Sequence, residues 1–307
     1  MTYDVLVYGP LFCDLIFTGL PGLPVLGTEL FAEDFTLTVG GSAIVAAGLH
    51  RLGARVGLIA ELGTDYLSRV MREILDDLGL DRSLIREHGH PLPQVTVALS
   101  FPQDRAFVTR FRRPQTAPDL AGLLRAHPAR HLHVGSLLAA LETPEAARIA
   151  HAAGLTVSMD PGWDENDLLD PRLAAMIADL DVFLPNRSEL CHLGHTEDVE
   201  EALARVGGTM RGGLLVLKMG ADGAAAYAPT GETVASAGPL PVTPLDTTGA
   251  GDAFDAGFLY GYVNGLPVET CMRYGAVCGG LATTRAGGVA ASPGLTEVQQ
   301  WLSRLPS

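Results

Sequence analysis

Asp246-Thr247-Thr248-Gly249-Ala250-Gly251-Asp252-Ala253-Phe254 is the stretch on which both fold and chemistry turn. A proline-rich segment, Pro239–Pro244, precedes it, and an apolar run of helical character, Gly251–Val263, grows out of it. Gly249, Ala250 and Gly251 are small enough to let the backbone approach a ligand closely. The first N–H groups of a helix have no partner within it and carry the positive end of its dipole. Such a terminus holds phosphate or stabilises negative charge as it develops. Asp252 falls in the first turn, beside that anion site, where a carboxylate can take the proton of an attacking hydroxyl. A glycine-containing loop followed by an acidic first turn is also an ordinary helix start, and Gly-Ala-Gly-Asp alone leaves both readings open.

Outward from this stretch, short apolar runs recur at Val5–Tyr8, Val56–Ala60, Leu132–Val134, Thr156–Met159, Val182–Leu184 and Leu214–Leu217. They are continuously apolar rather than alternating, as strands are when helices cover both sheet faces. Helix-like stretches lie between them: Ala43–Leu52, Asp65–Leu78, Pro144–Ala153 and Val199–Val206. The alternation predicts a mostly parallel sheet in an α/β layered domain. The C-terminal part is mainly helical, over Gly251–Val263, Val268–Arg285 and Thr296–Leu302. Two segments break the pattern, about 15–39 and about 94–112, the latter with a turn near Pro102–Arg105. Both read as antiparallel pieces inserted into the α/β core. They form a small β lid in one reading and ordinary edge hairpins in the other. No repeat or long linker divides the 307 residues, which are expected to form a single domain.

Composition narrows the function classes. The apolar fraction is 47% and the charged fraction 18%, enough for a large core. The net charge of −14 and the absence of a Lys/Arg-rich tract argue against nucleic acid and anionic membranes as partners. The four cysteines, Cys13, Cys191, Cys271 and Cys278, form no C-x-x-C pair and suit a reducing compartment. No basic N-terminal region leads into an apolar stretch, and no apolar run is long enough to span a bilayer. These features predict a soluble, cytoplasmic protein. Lys218 is the only lysine and is followed by Met219, so no P-loop exists. No G-x-G-x-x-G links the first strand to a helix, which argues against a nicotinamide Rossmann domain. Glu189, Cys191, His192 and His195 cannot all face one metal from one helix, and zinc is not expected.

The nine-residue string resembles the signature of the PfkB carbohydrate kinases, and the resemblance extends over essentially the whole chain. It implies a three-layer αβα ribokinase-like fold and an ATP-dependent transfer of the γ-phosphoryl group to a hydroxymethyl group of a sugar or sugar derivative. It also implies an anion hole at Gly249, Ala250 and Gly251, with Asp252 as catalytic base. A nucleoside kinase on the same fold is the alternative, and a non-catalytic ligand-binding regulator is a third reading, disfavoured by retention of Asp252.

Further segments carry the same resemblance. Asp14, after the first strand, matches a sugar-contacting aspartate; a carboxylate accepts hydrogen bonds from vicinal hydroxyls. Gly40-Gly41-Ser42-Ala43 matches the family's N-terminal signature, whose glycines lie against substrate. The family's usual asparagine five residues after Gly40 is Val45 here, which cannot make that hydrogen bond and puts ribose or fructose specificity in doubt. Asn186-x-x-Glu189 matches a motif that helps hold Mg²⁺, partly through water; hard oxygen donors suit that ion. The same pair is also a capping-box pattern. Lys218, Gly220 and Gly223 match the loop that covers the nucleotide phosphates, with Lys218 as a point charge. Gly275–Arg285 matches the helix flanking adenine. Asp246 and the Thr248 carbonyl align with a monovalent-cation site of some members, which makes K⁺ a candidate. Asp160-Pro161-Gly162 is expected to edge the site. Arg105, Arg110, Arg112 and Arg113 are either a charged edge that prevents strand pairing or, at Arg105 in particular, a reader of an anionic acceptor. His131 and His133, alternating on a strand, are expected to face one side as a hydrogen-bonded pair. Family behaviour suggests a homodimer formed through the lid.

Overall fold

The computed structural model describes residues 2–101, 105–164, 167–285 and 287–305. Thirteen strands follow in chain order among these residues: β1 Tyr3–Tyr8, β2 Leu11–Thr18, β3 Asp34–Gly41, β4 Val56–Leu62, β5 Ile85–Glu87, β6 Val95–Ser100, β7 Arg105–Arg110, β8 Ala129–Val134, β9 Thr156–Met159, β10 Val182–Phe183, β11 Leu214–Lys218, β12 Ala224–Tyr227 and β13 Thr233–Ala237. Nine of them form one sheet in the order β13-β12-β11-β10-β9-β8-β1-β4-β5. From β11 to β5 the neighbours run parallel, and β12 and β13 close one edge in antiparallel pairing. Each apolar run read from the sequence lies in or at the end of one of the parallel strands.

The continuous apolarity has a plain cause, because side chains of both strand faces are buried under helices. Val5, Val7, Leu58, Val182 and Val216 pack against the helices Ser42–Arg51, Tyr66–Asp77, Ala250–Val263 and Val268–Ala282. The alternate residues, among them Leu6, Tyr8, Ile59 and Leu132, pack against Leu120–Ala126, Leu137–Glu142, Ala146–Ala152 and the helices that follow to Val199–Gly207. This is an α/β fold with a mostly parallel central sheet. The antiparallel edge was not legible in the sequence. β12 reads Ala-Ala-Ala-Tyr, which no strand propensity marks, and its conformation is imposed by pairing with β11.

β2, β3, β6 and β7 form a second sheet in the order β3-β2-β6-β7. Its strands come from the two segments that break the α/β pattern, but β2 begins at Leu11, earlier than the expected boundary at residue 15. The β2–β3 and β6–β7 pairs are antiparallel as expected, whereas β2 and β6 pair in parallel and join them into one sheet. Of the expected turn near Pro102–Arg105, residues 102–104 lie outside the described residues. Strand alternation gives this sheet two faces. One carries Asp14, Thr38, Thr96, Ala98 and Phe107, with Arg105 at its end; the other carries Leu15, Phe17, Phe35, Leu37, Val97 and Val108.

Candidate active site

Gly9, Gly135, Asp160, Asn186 and Lys218 all lie at or just beyond the carboxyl ends of parallel strands, where open α/β sheets bind ligands. The helix Ala250–Val263 starts above the same edge. Its N-cap, Gly249, has φ 73°, a left-handed conformation that glycine adopts without strain. A Cβ there would press on Gly288 and Ile44 at 3.3 Å. Asp246 ties the loop together: its Oδ1 accepts from the Thr248 N–H at 2.9 Å and the Thr248 hydroxyl at 2.7 Å, and its Oδ2 from the Gly287 N–H at 3.3 Å. The Ala250 N–H is bonded to the Thr247 carbonyl at 3.2 Å. That donor is turned to the protein, a correction to its expected place in an anion hole.

A cavity of about 910 Å³ opens at this helix start. Thr248, Gly249, Ala250, Gly251 and Asp252 line one side, and Asn186, Glu189, Lys218, Gly220 and Gly223 another. Arg105 and Phe107 reach it from β7. Leu240, Val242, Ala276 and Gly280 form an apolar slot between the proline-rich loop and the Val268–Ala282 helix, which the sequence had assigned to adenine. Asp14 is 9% exposed, and its negative charge and that of Asp252 act on each other. A Cβ at Gly40 would collide with the Asp14 carboxylate, so glycine is required for that side chain to pack where it does. Val45 is 1% exposed and belongs to the core; Ile44 lines the cavity instead. The expected substrate contact at Val45 is corrected accordingly, because the helix turns residue 45 toward the sheet.

Lys218 does not present a free point charge to phosphate. Its ammonium donates to Asp160 at 2.7 Å and to both oxygens of Asp255 at 3.0 and 3.1 Å. Asp255 is fully buried, one helical turn beyond Asp252. Sequence reading missed it, although a second acid at i+3 within an otherwise apolar helix is a usable signal. Burial alone would raise the Asp160 pKa, but Lys218 beside it, together with hydrogen bonds from Asp255 and the Gly162 N–H, outweighs that and holds it at about 2. Burial pushes Asp255 well up and the ammonium stays protonated. Burial, reinforced by the Asp160 charge, raises Asp252 to about 7 and Glu189 to about 8. Asp14 is also raised to about 7, by burial and by Asp252.

Asn186 and Glu189 form a complete capping box: the Asn186 side chain accepts from the Glu189 N–H at 3.0 Å, and Glu189 Oε2 accepts from the Asn186 N–H at 2.8 Å. Capping does not exhaust the pair, since Glu189 still lines the cavity. Burial is the larger cause of the raised proton affinities of Glu189 and Asp252, and the Asp160 charge adds to it. The hard oxygen donors of Asn186, Glu189 and Asp252 along the cavity wall fit a divalent cation such as Mg²⁺. His131 and His133 share Ser158: its Oγ lies 2.7 Å from His131 Nε2 and 2.9 Å from His133 Nδ1. Burial keeps both rings neutral, at about 3 and about 4. Arg113 pairs with Asp167 at 2.7 Å, outside the cavity.

Comparison with known proteins agrees with this geometry. The family model described as pfkB family carbohydrate kinase matches residues 7–294. An ATP-dependent ribose-1-phosphate kinase of Halopiger xanaduensis is 31% identical, over 86% of this chain and 87% of that protein. A fructokinase of Klebsiella pneumoniae is 30% identical, over 86% and 91%. Arabidopsis thaliana ribokinase, solved with ribose and ATP, superposes with a TM-score of 0.82 at 22% identity, over 98% of this chain and 99% of that one. A ribokinase II of E. coli, solved with ATP and Mg²⁺, gives 0.80 at 22% identity, over 99% and 100%. With a matched family model over nearly its whole length and a nucleotide-sized cavity at the signature helix, the chain belongs to the pfkB family of carbohydrate kinases, phosphotransferases with an alcohol group as acceptor.

Proposed function

We propose that Asp252 is the general base of this kinase and that the acceptor lies between Asp252 and Asp14. One observation carries the reading: a half-buried carboxylate, raised to about 7, stands in the first turn of a helix whose start lines the nucleotide-sized cavity. As the hydroxymethyl oxygen of the acceptor attacks the γ-phosphorus of ATP, its proton passes to Asp252 and ADP departs. N–H groups at the helix start receive the developing charge. Asp14 accepts hydrogen bonds from acceptor hydroxyls, and Gly220 and Gly223 let the loop after β11 approach the phosphates. Mg²⁺, held through Glu189 and Asn186 in part by water, would neutralise phosphate charge. The second sheet acts as the lid that excludes water. K⁺ at Asp246 and the Thr248 carbonyl belongs to the same reading, and exchanging potassium for sodium in the assay tests it.

Acceptor identity is set by the walls. Arg105, whose positive charge acts on Asp252 across the cavity, would meet an acidic group of the acceptor or of ATP. Ile44 and Phe107 add apolar wall that suits a nucleoside, the second reading. An ADP-coupled assay over ribose 1-phosphate, fructose, ribose, sugar acids and nucleosides decides among these. Acceptor-dependent ADP release with none of them would remove the reading.

The free thiols of Cys13, Cys191, Cys271 and Cys278 suit the cytoplasm. Among the described residues no helix is long and apolar enough to cross a membrane. The lid face opposite Asp14 carries a partner argument of its own. Phe35, Leu37 and Val108 are 46%, 44% and 67% exposed on it, which is costly for a monomer. A second copy of the chain covers this face in our reading. Leu37→Asp with Val108→Asp is expected to turn a dimer into a monomer in light scattering; an unchanged mass would refute the lid interface.

A further inference from the structure

The apolar slot of the large cavity, read as the nucleobase site, offers few groups that could tell one base edge from another. The lining residues supplied by the proline-rich loop and the Val268–Ala282 helix are Pro, Leu, Val, Ala and Gly, with Thr283 at the helix C-cap as the exception. Thr247, in the turn after the loop, adds a second hydroxyl to the same cavity. A hydroxyl rotates to donate or to accept, so neither threonine favours one hydrogen-bonding edge of a base over its inverse.

The main chain around the slot is largely engaged. Residues 239, 241 and 244 are prolines and carry no N–H. The Val242 N–H donates to the Leu240 carbonyl at 2.9 Å, and those of Leu245 and Asp246 donate to the Thr283 carbonyl at 2.7 and 3.0 Å. The Gly280 carbonyl accepts from both the N–H and the hydroxyl of Thr283, at 3.2 and 2.7 Å. Among the described residues 239–246, Leu240 and Thr243 keep the N–H groups without a main-chain acceptor. Such a donor can serve N3 or N7, acceptors that all purines share. Pro239, Pro241, Thr243 and Pro244 are exposed, so water competes with a base for the loop carbonyls that remain.

A site that hydrogen-bonds one edge rejects the wrong one by about 10⁴- to 10⁵-fold, whereas an apolar pocket separates isosteres by about 10²-fold at most. We propose that the donor site holds its nucleotide by the faces of the base and by the phosphates, and that purine nucleoside triphosphates serve as donors whatever group stands at the 6-position. This donor breadth presupposes the kinase reading above and the slot as its base site.

MgADP and MgIDP are the probes, titrated calorimetrically into the full chain. Adenine and hypoxanthine match in size, but the 6-amino donor and N1 acceptor of the first become a keto acceptor and an N1–H donor in the second. The two dissociation constants are expected to agree within about tenfold. A larger gap overturns the proposal. With an acceptor in hand, MgITP is expected to give a kcat/KM within about tenfold of MgATP, and a larger gap there overturns it equally. Ala276→Leu fills the slot from the helix and Val242→Phe from the loop; each is expected to weaken both probes at least about tenfold and by a common factor. Unliganded melting temperatures check that the variants fold, and the parent titrations stand without them. Full ADP affinity in both folded variants would put the base outside the slot and overturn the proposal while leaving the kinase reading intact. Binding of neither probe by the parent chain would instead take the kinase reading down with it.

Discussion

Asp252→Asn lowers kcat by about 10²- to 10⁴-fold, the range of a positioned general base, while ATP affinity changes little. Asparagine keeps the size of the side chain and its place in the first turn but cannot take a proton. The parent enzyme carries a second mark of the same group. Burial raises Asp252 to about 7, and the Asp160 charge adds to that. Protonation removes the base, so kcat/KM, which reports the free enzyme, falls as pH drops through about 7 and does so tenfold per unit. The acid limb must become shallower in Asp252→Asn, where Asp14 and Glu189 still titrate in the same range. Steady-state profiles from pH 5 to 9 with ATP titrations test both points. Near-normal turnover in the variant would show that another group takes the proton.

Lys218→Met is expected to destabilise the fold by about 3–5 kcal/mol, the range for removing one partner of a buried ion pair. Its ammonium stands between Asp160 and Asp255, and side-chain exposures of 11%, 13% and 0% leave water little access to the three. With the cation gone, two carboxyls face each other beneath the helix that carries Asp252. The double variant Lys218→Met/Asp255→Val should recover part of the loss, because it removes one stranded acid along with its partner. Urea midpoints of parent, single and double variants measure this. A single variant within about 0.5 kcal/mol of the parent would mean that the assembly adds nothing to stability.

The two expectations concern the start of one helix and the strand end packed against it, yet their residues differ in how visible they were. Asp252 stood out because its neighbours are local: small residues before it, an apolar helix after it, and a signature spanning nine positions. Lys218 looked like a phosphate ligand because it follows a buried strand and precedes a glycine loop. Its partners come from the end of β9 and from the middle of the Ala250–Val263 helix, 58 and 37 residues away. No local pattern could assign that charge. Val45 shows the converse, since its spacing from Gly40 matched a substrate position while the helix packs it into the core.

Periodicity and local motif sufficed for the parallel strands, the helix start at Gly249 and the candidate base, because each depends on burial or backbone geometry within a few residues. The Ala-rich edge strand, the parallel joining of β2 to β6 and the Asp160–Lys218–Asp255 assembly depend instead on partners far apart along the chain. Pairing and charge compensation act through space, so folding alone decides them.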